Sequence, residues 1–138
     1  MGVLLWLILE ITESSAMLVP DLVASFMQDV QARGVSFALD DFGSGLSSFG
    51  YLKMLPVDYL KIDGSFVRDI EHDAIARAMV ASINNIGHEM GLQTVAEFVE
   101  SAAILECLQN IGVDYVQGYH LGRPQPLSEL DGVRMMPR

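Results

Sequence analysis

Apolar and polar positions alternate along this chain in blocks whose period switches between strand and helix. Val3–Glu10 is an apolar, partly branched run that closes on a carboxylate, the pattern of a strand buried on both faces. Asp21–Arg33 sets Leu22, Val23, Phe26, Met27 and Val30 on one helical face, with Gly34 as its stop. Val35–Asp41 reads as a second strand. Phe42–Gly50 is rich in Gly and Ser and predicts a loop, followed by a short helical stretch to about Leu55 that Pro56 breaks. Tyr59–Asp63 is a third strand. Asp73 predicts the N-cap of a long helix, with Ile75, Met79, Ile83, Ile86 and Met90 at helical spacing and Gly91 past its end. Leu92–Glu97 is a fourth strand. Ser101 caps a helix through Ile104, Leu105, Leu108 and Ile111 that Gly112 ends. Asp114–Gln117 is a fifth strand, and Pro126–Leu130 opens a last short helix.

Strand–helix alternation of this kind predicts an α/β fold, a parallel sheet with helices outside it. No Pro/Ser-rich linker divides residues 1–138, so the pattern reads as one unit. Two architectures fit: an open doubly wound sheet and a (β/α)8 barrel. A barrel needs eight strands and typically about 250 residues. As a barrel, this chain of 138 residues is a partial one of about five strands, short of about three strand–helix units at its N-terminus. Met1-Gly2 leads directly into a buried-type strand with no cap or loop, which fits that expectation.

Composition narrows the function. Hydrophobic residues make up 51% and charged residues 19%, which excludes a disordered chain. Eighteen acids against eight bases give a net charge of −10, so there is no general attraction to DNA, RNA or an anionic membrane. A phosphorylated substrate would need a local inversion of sign, for which a bound cation is the natural device. The single Cys107 rules out an internal disulfide, fits a reducing, cytoplasmic compartment, and lies on an apolar helix face as core. The longest apolar run, Val3–Leu9, is far short of the roughly 20 residues that span a bilayer, and no basic stretch precedes it.

The polar residues cluster at the strand ends. Glu10 closes the first strand within EITES, and Asp40-Asp41 the second within LDDFGSG. Lys61 and Asp63 lie on the third within LKID, Glu97 closes the fourth within VAEF, and Gln117 the fifth within VQGY. In a parallel barrel or an open sheet these ends share one face, where active sites lie. One such carboxylate is commonly a helix cap or a solvated loop residue, but a run of five strands ending this way is not. Glu10, Asp40, Asp41 and Glu97 would therefore converge, and their repulsion calls for a hard divalent cation, Mg²⁺ or Mn²⁺. Adjacent Asp40 and Asp41 ordinarily face opposite ways, yet at a frayed strand end both can turn toward a metal pair, an arrangement suited to displacement at phosphorus. Lys61 would be the lone cation among them, able to orient or deprotonate water. Thr12 or Ser14 could cap the helix after EITES, and Glu13 either caps too or braces the adaptable loop after Asp41.

Other constellations carry less. The loop lacks the GxxxxGK[ST] spacing of a P-loop, and Asp41-Phe42-Gly43 stands without any other kinase signature. His72, His88 and His120 are too scattered for zinc, with His120 nearest the strand ends. The methionines read as core or tail.

EITES, DDFGSGLSSFGYLKMLPVDYLKID, TVAEFVE and VQGYHLGRP, in this order and spacing, closely resemble the C-terminal part of EAL domains, bacterial phosphodiesterases of cyclic di-GMP. The resemblance runs from about Leu9 to Pro126. It implies a TIM-like barrel with one antiparallel strand, and Mg²⁺- or Mn²⁺-dependent hydrolysis of cyclic di-GMP to linear pGpG in bacterial second-messenger signalling. By motif, Glu10 resembles a ligand of the first metal and Asp40 the ligand shared by both. Asp41 and Glu97 resemble second-metal ligands or holders of its waters. Lys61 matches the lysine that positions or activates water, Gln117 the glutamine supporting water and substrate, and Glu13 the glutamate holding the DDFGSG loop. The Glu-Ala-Leu motif, the arginine after it and an asparagine ligand would all lie before residue 1. Phe98 stands where the family commonly has glycine, and GSGLSS where GTGYSS is commoner. The resemblance also implies a diguanylate cyclase-like or sensory domain in a longer parent, a homodimer, and little hydrolysis by the isolated chain. The alternative is a degenerate EAL domain that binds the dinucleotide or a protein without cleaving it; retention of Glu10, Asp40, Asp41, Lys61 and Glu97 favours descent from an enzyme.

Overall fold

The computed structural model describes residues 8–16, 18, 20–42 and 52–118, apart from the side chains of residues 13, 14 and 20. The element order is β1 (Ile8–Thr12), α1 (Glu13–Ala16), α2 (Pro20–Gln31), β2 (Ser36–Phe42), β3 (Tyr59–Ile62), α3 (Gly64–Asp69), α4 (Ala74–Glu89), β4 (Gln93–Ala96), α5 (Ala102–Ile111) and β5 (Tyr115–Val116). The strands form one sheet in the order β1-β2-β3-β4-β5, and every neighbouring pair is parallel. A doubly wound sheet reverses its strand order part-way, whereas a barrel adds strands in sequence. The unbroken order therefore decides between the two expected architectures in favour of the TIM-barrel-like one.

Helix boundaries follow the expected chemistry. The Asp73 side chain accepts from the backbone N–H groups of Ile75 and Ala76, and the Ser101 hydroxyl from that of Ile104. Thr12 Oγ1 accepts from Ser15 N–H and so caps α1. Gly34, Gly91 and Gly112 end their helices at positive φ, where a Cβ would be penalised. The periodicity reading misses α3. Its sequence GSFVRD opens on glycine and is too short to show a period, and Asp63, expected inside β3, is its N-cap, accepting from Ser65 N–H.

Two helices bury faces other than the expected ones. In α4 the buried residues are Ala76, Val80, Ile83, Asn84 and Gly87, while the expected Ile75 and Met79 are exposed. The true stripe is rotated by about one residue, roughly 100°. Small residues win the inner face because α4 lies close on the sheet: a Cβ on Gly87 would sit 3.0 Å from Thr94 Cγ2 and 3.2 Å from Leu60 Cδ2. In α2, Met27 is fully buried and Val23 and Val30 partly, but Leu22 and Phe26 are mostly exposed. Phe26 still meets Phe37 edge-on, with ring centroids 6.5 Å apart. Cys107 is half-buried against the core.

The core joins Leu39, Phe42, Leu60 and Ile62 of the sheet to Met27, Val67, Ile70, Val80 and Leu108. Two buried polar residues interrupt it. Thr94, at the start of β4, donates from Oγ1 to Asn84 Oδ1 at 2.6 Å, and Asn84 Nδ2 donates to the Ile111 carbonyl. Asp114 Oδ2 accepts from Thr94 N–H at 2.8 Å and lies 2.7 Å from His88 Nε2. This network ties α4, β4 and the approach to β5 together at the end of the sheet opposite the carboxylates. The residues expected to form the loop after Phe42, the helix at 126–130 and His120 lie outside the described residues.

Candidate active site

The C-terminal ends of β1, β2, β3 and β4 bring the expected acids and lysine together. Along a regular strand Asp40 and Asp41 would face opposite sides of the sheet. The pairing shows why they do not: Leu39 is opposite Leu60, but Phe42 is opposite Ile62, so β2 carries one extra residue. Asp41 occupies this bulge with φ +58, in left-handed backbone that few non-glycine residues adopt. Asp41 N–H donates to Asp40 Oδ1 at 2.8 Å.

A second bulge follows β4. Gln117 N–H donates to the Ala96 carbonyl, and the Gln117 carbonyl accepts from Val99 N–H rather than from that of Phe98. A regular parallel ladder would place one residue between those two contacts; here Glu97 and Phe98 both lie there. Phe98 takes φ +63, and it and Asp41 are the non-glycine residues with positive φ among those described. With both strand ends re-aimed, Asp40, Asp41 and Glu97 each offer a carboxylate oxygen within 4.8 Å of the others.

Lys61 stands inside this group, its side chain 6% exposed. Its Nζ donates to Glu10 Oε2 at 2.7 Å and lies 3.6 Å from Glu97 Oε1. Burial alone would lower the Lys61 pKa. The Glu10 hydrogen bond and the charges of Glu97, Glu10 and Asp40 outweigh it and hold the pKa above the ordinary lysine value. In this arrangement Lys61 is an ammonium that orients acids.

The carboxylates carry the opposite strain. Glu97 is pushed up to about 7, first by burial and then by a hydrogen bond shared with Asp40 and the charges of Asp40 and Glu10, against the pull of Lys61. Asp41 is raised by burial and by the charges of Asp40, Asp63 and Glu10, with Lys61 again opposing. One lysine does not neutralise this cluster. Three hard oxygen donors in mutual reach fit a hard divalent cation, whose charge would offset the part of both rises that comes from neighbouring carboxylates.

Of the residues expected at the site, Asp40, Asp41 and Glu97 meet directly, and Lys61 pairs with Glu97. Glu10 joins them through Lys61 rather than as part of the three-carboxylate group. Gln117 is half-buried, and its backbone frames the Glu97 bulge. Glu13 opens α1, but its side chain lies outside those described. Asp63 adds negative charge beside Asp41 that the reading of strand ends left unassigned. Arg68, whose guanidinium lies 5.4 Å from the Phe98 ring centroid, was not foreseen either; nothing in sequence spacing connects the two.

The EAL domain family model matches residues 2–124. The chain is 50% identical over 119 residues to the cyclic di-GMP phosphodiesterase PdeB of Shewanella oneidensis, covering 86% of this chain and 14% of PdeB. It is 44% identical over 124 residues to the bifunctional diguanylate cyclase/cyclic di-GMP phosphodiesterase MucR of Pseudomonas aeruginosa, covering 90% of this chain and 18% of MucR. The solved PaMucR phosphodiesterase in complex with c-di-GMP superimposes with a TM-score of 0.85 at 42% identity, over 91% of this chain and 51% of that one. The chain thus spans a small part of these curated relatives and about half of the solved domain. Parallel strands in sequential order, acids gathered at their C-terminal ends and a match from residue 2 to residue 124 lead to one assignment: the chain belongs to the EAL domain family.

Proposed function

We propose that this chain is the C-terminal portion of an EAL domain that hydrolyses cyclic di-GMP to linear pGpG with Mg²⁺ or Mn²⁺. The observation that carries this reading is the meeting of Asp40, Asp41 and Glu97 within 4.8 Å, beside a lysine that pairs with Glu97 and is bonded to Glu10. Asp40, Asp41 and Glu97 would hold the divalent ions, with Asp40 shared, and Glu10 would complete the set once released from Lys61. Bound there, divalent ions supply charge neutralisation at phosphorus and make water more acidic. Lys61, kept as an ammonium, orients the attacking water and the phosphodiester oxygens. Gln117, at the end of β5, supports that water and the substrate. Glu13 braces the loop after Asp41. Relatives named as phosphodiesterases of cyclic di-GMP, and the solved complex of the PaMucR phosphodiesterase with c-di-GMP, support this choice of substrate.

The bifunctional name of MucR supports a diguanylate cyclase-like or sensory domain in the parent. We place the protein in the cytoplasm, where its single cysteine stays reduced, and infer a homodimer; the isolated chain would self-associate through the sheet edges at β1 and β5, the outer strands among the described residues. No helix among the described residues is long and apolar enough to cross a membrane. The test is release of pGpG from cyclic di-GMP by the full-length protein with Mn²⁺. Asp40→Asn should abolish it. Undiminished turnover in that variant at saturating Mn²⁺ would refute the metal assignment, and tight cyclic di-GMP binding by a parent that releases no pGpG would establish the binding-module reading instead.

A further inference from the structure

Phe98 follows Glu97 at the end of β4, where the carboxylates gather. It holds φ +63, a conformation that bulky side chains resist and glycine adopts freely. The backbone there does not call for a phenylalanine. Nor does the core, since Phe98 is 44% exposed while its neighbour Val99 is fully buried. A large ring kept at the rim of a site, against backbone preference and without full burial, points to contact with a ligand. Its surroundings indicate which one. One edge of the ring rests on Gly64, the first residue of α3, where a Cβ would fall 2.2 Å from Cδ2 and 2.6 Å from Cε2. Exposed Arg68, further along α3, sets its guanidinium 5.4 Å from the ring centroid, near the outer limit of about 6 Å for a cation–π contact. Among the described residues Arg68 forms no ion pair with a carboxylate. A ring and an arginine side by side suit a nucleobase. The ring stacks on its π face, and the guanidinium donates two parallel N–H bonds to guanine O6 and N7. Adenine presents a donor in place of O6 and is refused.

We propose that Phe98 and Arg68 form a guanine subsite beside the carboxylate cluster: one base of the dinucleotide stacks on the Phe98 ring, and Arg68 turns from the ring to the O6 and N7 edge of that base. The proposal rests on the reading of the cluster as a cyclic di-GMP phosphodiesterase site. A phosphodiester held at Asp40, Asp41 and Glu97 would place an attached nucleoside beside the residue that follows Glu97. The subsite also answers a problem of charge. The dinucleotide is an anion, the chain carries −10, and Lys61 is already engaged by Glu10 and Glu97. Arg68 supplies an uncommitted cation at the rim, and stacking adds attraction that does not depend on charge. Phe98 and Arg68 therefore hold substrate and take no part in the metal site.

The test is calorimetric binding of cyclic di-GMP to the full-length protein carrying Asp40→Asn, in which the dinucleotide is not turned over. Adding Phe98→Gly removes the ring from a backbone that glycine fits, and should weaken binding at least about fivefold, the low end for a base that loses its stacking partner. Phe98→Leu keeps an apolar contact on Gly64 but offers no ring, should weaken binding similarly, and serves should the glycine variant not fold. Phe98→Tyr keeps the ring and should bind within about twofold of the reference. Arg68→Lys keeps the charge without the paired donors and should also cost about fivefold. With Asp40 intact, Mn²⁺ binding read from the paramagnetic resonance of free Mn²⁺ should stay within about twofold in Phe98→Gly, a readout that separates a substrate contact from a structural role at Glu97. Unchanged dinucleotide binding in folded Phe98→Gly and Phe98→Leu would overturn the proposal, as would an equal weakening of Mn²⁺ binding. A reference protein that binds no cyclic di-GMP, or still releases pGpG, would instead sink the phosphodiesterase reading, a pattern distinct from tight reference binding with unaffected ring variants.

Discussion

Thr94→Val tests how much of the stability rests on the buried polar network rather than on the apolar core. Valine matches threonine in shape, so the change removes a hydroxyl and little else. Thr94 is fully buried, and its Oγ1 donates at 2.6 Å to Asn84 Oδ1 while accepting from Asp114 N–H at 3.3 Å. The hydroxyl also lies 3.2 Å from Asp114 Oδ2, but it has one proton, and the shorter contact to Asn84 claims it. After the substitution Asn84 Oδ1, in a side chain 1% exposed, keeps no donor among the described residues. An orphaned buried acceptor costs about 1–3 kcal/mol. Asp114 N–H is nearer the surface and costs less, because water can replace the hydroxyl. The expected destabilisation is about 2–3 kcal/mol. Urea unfolding followed by circular dichroism should show the midpoint lowered by about 1 M with an unchanged slope. A double variant with Asn84→Leu should lose clearly less than the sum of the two single changes, since removing both partners leaves no orphan. A Thr94→Val midpoint equal to the parent's, or strict additivity in the double variant, would refute this account.

Gly118→Ala should destabilise severely: a Cβ there would lie 2.2 Å from Val99 N and 2.3 Å from Val99 O, backbone atoms that cannot move without breaking the Gln117 contacts, and little folded protein by circular dichroism is the expected result. Burial pushes Asp114 up, but the Thr94 N–H, the His88 hydrogen bond and the His88 charge together hold its pKa below the ordinary 3.8. Its contribution is therefore present above pH 3.8 and is lost as the pH falls through the lower folded value; acid titrations of stability should flatten in that window in Asp114→Asn and stay unchanged if the pair contributes nothing. In the full-length protein Asp41→Asn should abolish Mn²⁺-dependent release of pGpG, as Asp40→Asn should, while circular dichroism remains that of the parent. Glu13→Ala, if the side chain braces the loop, should raise the Mn²⁺ midpoint for activity and respond to added metal; a loss that no metal concentration restores would place Glu13 in the chemistry itself.

How much of this was visible in the sequence depends on the range of the interaction concerned. Strands β2 and β3, helices α2, α4 and α5, and the caps at Asp73 and Ser101 are local events, driven by period and by side chains that bond their own backbone, and the sequence carries them. The inner face of α4 is not local. Ile75 and Met79 are hydrophobic, yet they stay exposed while Ala76, Val80, Ile83, Asn84 and Gly87 are buried, and at Gly87 the approach to Thr94 and Leu60 leaves no room for a side chain. Asn84 likewise reads as a solvated helix position until Thr94 is seen to meet it.

The site divides along the same line. Acids at successive strand ends mark the face where chemistry lies, because parallel topology alone gathers those ends. Whether two neighbouring acids point together is decided by register, and register belongs to the pairing of strands rather than to either strand. Asp40 and Asp41 can serve one site because the contact of Phe42 with Ile62 slips by a residue, and the Phe42 carbonyl accepts from Asp63 N–H to fix that slip. Glu97 reaches the same point because Gln117 spans two residues instead of one. Both slips show as positive φ, at Asp41, a residue type comparatively tolerant of it, and at Phe98, where local preference argues against it. Such conformations persist only where the surrounding structure over-determines them. At Asp41 the Asp40 carboxylate accepts the backbone N–H, and at Phe98 the ring is held between Gly64 and Arg68. Geometry that brings three carboxylates within 4.8 Å is thus built from two backbone irregularities, one fixed between strands by Asp63 N–H on the Phe42 carbonyl and the other by the Gln117 contacts with Ala96 and Val99, pairings that no single segment of the sequence contains.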